Sequence, residues 1–256
     1  MKRSVKSYTI STLLCVCLVI VPSAKGYYTN NYGDYVGITA KFFDVTETTF
    51  TEGTALYNTP TLVGDSLQFN SLLFASFSQN GASDITDGAL ETTIGSKPNY
   101  SIDRIKFNEF GDTTLSGTGS SSTYSSINNS ILIKIREIDD VALTDPCTFS
   151  VDMIFTPADS WNLADDGAIT GLDWTGTLTI DITSKLRELG FCSGFATLLD
   201  LTMDNTLNTA SQTGTSALIL KKETDGLRVT PIIVPEPATI ALLAFGSVAL
   251  LRKRRG

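Results

Sequence analysis

Phe149-Ser150-Val151-Asp152-Met153-Ile154-Phe155-Thr156 sets large apolar side chains at every second position. A strand turns successive side chains to opposite faces. This spacing therefore puts Phe149, Val151, Met153 and Phe155 on one buried face and leaves the other wet. Leu178, Ile180 and Ile182 repeat the pattern against Thr177, Thr179, Asp181 and Thr183. Further runs at 66–70, 102–110, 131–138, 196–203, 216–221 and 227–233 have the same character. They are rich in Thr, Ile, Phe and Val, which suit a pleated, half-buried surface. Between the runs, Asn80-Gly81, Asp87-Gly88, Gly111-Asp112, Asp166-Gly167 and Asp225-Gly226 supply turn chemistry. Residues 116–126, mostly Ser, Gly and Thr, read as a mobile loop, and 184–189 as the one short soluble helix. Short strands, recurring turns and little helix predict an all-β fold. The expected form is an antiparallel β-sandwich, with the jelly roll as one topology that fits.

Both ends of the chain depart from this pattern. Lys2, Arg3 and Lys6 precede a 13-residue apolar run, 9–21, and small residues follow at Ser23, Ala24 and Gly26. That is the three-part layout of a secretory signal peptide over 1–25, too short in its apolar part for a spanning helix. Cys15 and Cys17 leave with it. Cys147 and Cys192 remain as a candidate disulfide in an oxidising compartment.

Lys2, Arg3 and Lys6 in the leader and Arg252, Lys253, Arg254 and Arg255 in the tail take seven of the 19 basic residues, so the middle is more acidic than the net charge of −8 conveys. An acidic surface repels phosphate backbones, which argues against nucleic acid as a partner. Histidine is absent. Ser-His-Asp and Cys-His nucleophile arrangements and the commonest zinc ligand go with it. Carboxylate chemistry survives that test. Asp139-Asp140, Asp165-Asp166, Asp84 with Asp87, and Asp200 with Asp204 are the acidic pairs. A glycosidase needs two such groups facing one another across a cleft, which spacing along a chain does not show. Asn30-Asn31-Tyr32-Gly33-Asp34 and the loop 162–167 hold oxygen ligands of the kind calcium uses, but neither fits a twelve-residue calcium loop. No phosphate-binding glycine loop, Cys-x-x-Cys pair or zinc-protease helix is present, and no catalytic residue, metal or cofactor is expected. Trp161 and Trp174 flank an acidic loop and, with Tyr27, Tyr28, Tyr32 and Tyr35, are rings of the kind a carbohydrate-binding sandwich uses, although Trp174 begins a strand pattern and reads as core. Such a module of an exopolysaccharide matrix is the competing expectation.

The chain closes with Val234-Pro235-Glu236-Pro237, an uncharged, largely apolar run over 238–251, then Arg252-Lys253-Arg254-Arg255-Gly256. Proline lacks an amide donor and restricts the residue before it, so helix begins only after Pro237. A 14-residue helix spans about 21 Å, short of a ~30 Å hydrocarbon core. Snorkelling arginines and local thinning make up part of the difference. The basic cluster holds its end in the cytoplasm as a stop-transfer signal. Residues 235–256 resemble the PEP-CTERM sorting signal in all three parts and in their order. That resemblance implies an exosortase-type membrane protease or transpeptidase acting at Pro235, Glu236 and Pro237. It also implies delivery to the cell surface or to a biofilm matrix of exopolysaccharide. The expected organisation is a signal peptide over 1–25, an exported β domain over 26–233 and a sorting segment over 234–256. The predicted role is that of a non-enzymatic surface or matrix protein.

Overall fold

The computed structural model describes residues 26–71, 73–191 and 194–236. The N-terminal hairpin joins β1 (Tyr28–Val36) to β2 (Ala40–Thr49), with a bulge at Gly33, where φ is +83°. After β3 (Thr61–Val63) and β4 (Ser66–Phe69), β5 (Ala75–Gln79) turns into β6 (Ser83–Ser96). Asn80 and Gly81 both have positive φ there, the turn that matches the twist of a tight hairpin. Three long strands follow: β7 (Tyr100–Ser116), β8 (Tyr124–Ile138) and β9 (Val141–Asp152). Then come β10 (Ile154–Thr156), β11 (Ser160–Asn162), β12 (Ile169–Asp181) and the helix α1 (Ile182–Glu188). The described chain closes with β13 (Ala196–Ala210), β14 (Ser216–Lys221) and β15 (Leu227–Pro235).

All pairings are antiparallel, and they form two facing layers. One layer runs β1-β2-β6-β13-β8-β9, with β11 beside the start of β8. The other runs β10-β12-β7, with β15 and β14 sharing the far edge of β7 and β4 and β5 outside them. A single pair, Ala196 with Ile102, joins β13 to β7 and closes one corner. Bonds across the interior show that the layers face one another, such as Thr113 Oγ1 to Ser125 Oγ at 2.6 Å. The fold is all-β, as the alternation predicts. Ile131, Ile133 and Ile135 on β8 and Leu199, Leu201 and Met203 on β13 are buried to within a percent, at about 1.5–3 kcal/mol per large side chain.

The stretch that decides the fold does more than form a strand. It divides at Met153: β9 pairs with β8 in one layer and β10 with β12 in the other. The Met153 amide donates to Asn129 O at 2.9 Å at the crossing, while the alternation continues unbroken. Two expected turns are instead strand interior. Asp87-Gly88 lies within β6 and Gly111-Asp112 within β7. Their glycines answer to close packing: a Cβ on Gly111 would stand 2.0 Å from Trp174 Cζ2, and one on Gly88 2.5 Å from Leu56 Cδ1. Ile182, expected as a strand residue, opens α1, because Asp181 accepts from the Ser184 amide at 2.7 Å and caps the helix. The expected loop narrows to 117–123 and is tied down, with the Ser120 amide donating to Gln212 Oε1 at 2.9 Å. The signal peptide over 1–25, the helix over 238–251 and Cys192 lie outside the described residues.

Candidate functional site

β15 carries the chain out of the domain. It pairs with β7 from Leu227 opposite Glu109 to Val234 opposite Ser101 and Pro235 opposite Tyr100. One step further, the Glu236 amide donates to Asn99 O at 3.0 Å. Pro235 and Glu236 are therefore the last rungs of the sheet, with no linker between fold and motif. Pro235 is exposed and Glu236 half-buried. Pro237 and the basic residues Arg252, Lys253, Arg254 and Arg255 lie outside the described residues. Among the described residues no helix is long and apolar enough to cross a membrane.

The rim around this exit is closely tied. Asn99 has φ +69° in a turn that the Tyr100 amide closes onto Lys97 O at 3.1 Å. The Lys97 amide donates to Thr39 O at 2.8 Å and its ammonium to Gly37 O at 2.6 Å. Asp65 accepts from the Thr39 amide at 2.8 Å, the Thr39 hydroxyl at 2.6 Å and the Ala40 amide at 3.0 Å. Burial pushes its carboxyl up, but these donors outweigh it and hold the pKa below the ordinary value.

A second constellation lies in the interior, and the sequence reading missed it. Glu109 on β7 and Lys221 on β14 form an ion pair of 2.7 Å with both side chains fully enclosed. The same Glu109 Oε1 accepts from Asn205 Nδ2 at 2.6 Å and Asn129 Nδ2 at 2.9 Å, from the opposite layer. Lys221 also donates to the Tyr57 hydroxyl at 3.1 Å and stands 4.5 Å from the Phe74 ring centre. Desolvation pulls the Lys221 pKa down against the pull of Glu109. The pair bonds β7 and β14 of one layer to β8 and β13 of the other. The signal was present in the alternation: Lys221 continues the inward series Ala217, Ile219, and Glu109 the series Ile105, Phe107.

The acidic pairs part company: Asp84 lines an open hollow of about 520 Å³ with Glu52, Glu223, Phe74 and Phe77, away from Asp87. Asp139 and Asp140 form the left-handed turn between β8 and β9. Asp165 and Asp166 are occupied by Asn162, whose own carboxamide oxygen caps Ala164 and Asp165. Asp204 meets Asp87 on the outer face of β13 and β6. Burial, then the neighbouring Asp87 charge and hydrogen bond, raise its pKa. Asp44, Glu91, Asp200 and Lys134 line an open trough of about 420 Å³ on that layer, with no aromatic ring in its lining. No cluster of metal-ligating side chains occurs among the described residues. Of the oxygen-rich N-terminal stretch, Asn31 Oδ1 is spent on the Gly33 amide and Asp34 Oδ1 on the Asp44 amide.

Of the six rings, the two tryptophans are core and Tyr28, Tyr32 and Tyr35 are half-buried. Trp161 and Trp174 are 3% and 1% exposed, which removes Trp161 as a binding platform. Tyr32 donates to Glu47 and to Tyr57 O. Tyr27 is exposed and packs on exposed Phe50, ring centres 5.4 Å apart. Cys147 is a half-buried free thiol on β9 whose pKa burial raises.

A family model for the PEP-CTERM protein-sorting motif matches residues 234–255. The chain thus carries that motif, the mark of an exported, exosortase-sorted protein, and the match starts on the last residues of β15. A search of curated proteins found no match. Among solved structures, TmCBM61 in complex with β-1,4-galactotriose matches at 10% identity over 65% of this chain and 70% of its own, with a TM-score of 0.20. The enzymatically active domain of bacteriophage CBA120 tailspike protein 4 matches at 9% identity over 82% of this chain and 20% of its own, TM-score 0.19. An ENZbleach xylanase mutant matches at 12% identity over 81% and 91%, TM-score 0.18. Superpositions this poor carry no argument about what the chain does.

Proposed function

We propose that this chain is a non-enzymatic protein of the cell surface or extracellular matrix, exported by its leader and processed at Pro235, Glu236 and Pro237 by an exosortase-type membrane protease or transpeptidase. The observation that carries the reading is the sorting-motif match at 234–255, which begins where β15 ends. The β domain supports it. Its charged pair is enclosed, Asp139-Asp140 sits in a turn, and Asp87 and Asp204 meet on an outer face. The domain is cargo, and the apolar run over 238–251 lodges in the membrane until processing. Intact-mass measurement of the protein recovered from its host's cells and medium tests this. The expected mass begins near residue 25 and ends near Pro235-Glu236-Pro237. A mass that retains 238–256 would make the tail a plain anchor and overturn the processing claim.

A further inference from the structure

The tail leaves the domain with almost no slack. Glu236 is bonded to Asn99, and the apolar run begins two residues later, at Ala238. Two residues reach about 7 Å when extended. The headgroup layer on each side of a bilayer is roughly 5–8 Å deep, taking the difference between total and hydrocarbon thickness. With the run in the membrane, the end of the sandwich around Glu236 stands at the bilayer surface.

Aliphatic side chains are exposed at that end. Ile38 is 72% exposed, Val36 62% and Val63 54%. Val36 ends β1, Val63 ends β3 and Ile38 lies in the β1–β2 turn, all beside the two turns that hydrogen bonds join to the exit: Lys97 holds 37–39, and Asp65 holds Thr39 and Ala40. Ile38 Cδ1 lies 4.0 Å from the position a Gly64 Cβ would take, so the two loop tips are neighbours. Asp65, between them, is spent on the Thr39 and Ala40 donors. Adjacent exposed aliphatics on rigid loops are what a headgroup layer accommodates and water does not. We infer that this end of the sandwich is a membrane-facing surface, on which Val36, Ile38 and Val63 enter the lipid headgroup layer before processing. The inference rests on the reading that the run over 238–251 lodges in the membrane.

β2 runs from this rim at Ala40 to Thr49, so Phe50 lies about 30 Å away at the opposite end. The test uses residues 26–256 bearing either Ile38→Trp or Phe50→Trp. Each is reconstituted into phosphatidylethanolamine–phosphatidylglycerol vesicles with brominated acyl chains, which quench tryptophan near lipid. Trp161 and Trp174 are buried in both and supply a common background. Both substitutions fall on exposed side chains, so folding is retained. The added emission of Ile38→Trp is expected to be largely quenched and that of Phe50→Trp to persist. Equal emission from the two in vesicles that carry the protein would overturn the membrane-facing surface alone. Emission at Ile38→Trp that follows protein concentration and ignores bromine would assign the surface to a second copy, and also overturn it. Protein that fails to float with the vesicles would defeat the membrane reading of the tail, and this inference with it.

Discussion

Lys221 and Lys222 are chain neighbours with the same chemistry and opposite fates. Lys221 points between the layers, fully enclosed and bonded to Glu109 and Tyr57. Lys222, its side chain 41% exposed, bridges Asp112 at 3.0 Å and Asp173 at 2.8 Å in solvent. One residue of strand period separates an ammonium whose loss leaves a buried charge from one that water replaces. Burial, not the count of ionic contacts, decides what each pair contributes.

The largest effect expected follows from this difference. Lys221→Met leaves the Glu109 carboxylate enclosed with only the Asn129 and Asn205 amides, and should cost about 3–5 kcal/mol in urea unfolding. Adding Glu109→Leu to that variant removes the stranded charge, so the double variant should recover much of the loss. It leaves the two Asn donors short of an acceptor, at about 1–3 kcal/mol each, so recovery is incomplete. A Lys221→Met variant within 1 kcal/mol of the parent, or a double variant at the sum of its singles, would erase the contrast between the two lysines.

Next in size is the backbone against which Lys221 lies. Gly111 is its partner across the β14–β7 ladder and Trp174 its partner on the other edge. The Trp174 ring crosses the space a side chain at Gly111 would fill, and a Cβ there would also stand 2.2 Å from Leu220 O. Gly111→Ala should therefore cost about 1–3 kcal/mol or more through overpacking. Gly33→Ala is the control, since its Cβ meets nothing within 4 Å and only its positive φ opposes the change. Equal effects at the two glycines would show that conformation, not the Trp174 ring, governs position 111.

These residues show where the sequence was legible. Alternation is a property of neighbours, so the facing of strands, including the inward positions of Glu109 and Lys221, could be read from the chain alone. Their pairing could not, because the partners stand 112 residues apart and only the topology joins them. Gly88 and Gly111 read as turns because Asp-Gly and Gly-Asp have the same composition in a turn as in a strand pressed by a remote ring. The sorting motif is contiguous and was read whole, whereas its continuity with β15, and so the absence of a linker, depends on pairing with Asn99, Tyr100 and Ser101. Trp161, beside an acidic loop, reads as a surface ring in the chain alone, because exposure is set by what lies opposite it.

The smallest effect is the one that separates the two lysines by sign. Lys222→Met should cost only about 0–1 kcal/mol, since the pair is exposed and screened. Its pH dependence is more telling. Hydrogen bonds to Asp173 and then Asp112 raise the Lys222 pKa above the ordinary value. Its contribution is therefore complete below the unfolded pKa of about 10.4 and is lost as pH rises through the folded value. Lys221 is shifted the other way by burial. Between its folded pKa and about 10.4 the unfolded chain binds more protons, so its contribution grows with pH across that window. Tyr57, raised by burial and then by Glu109, adds an alkaline loss common to the lysine variants that keep Glu109. Urea midpoints from pH 8 to 11 should thus show Lys222→Met flattening the alkaline decline relative to the parent, and Lys221→Met steepening it. Slopes that move in the same direction would mean that the enclosed ammonium titrates like a surface one, and the division between the two sides of β14 would not hold.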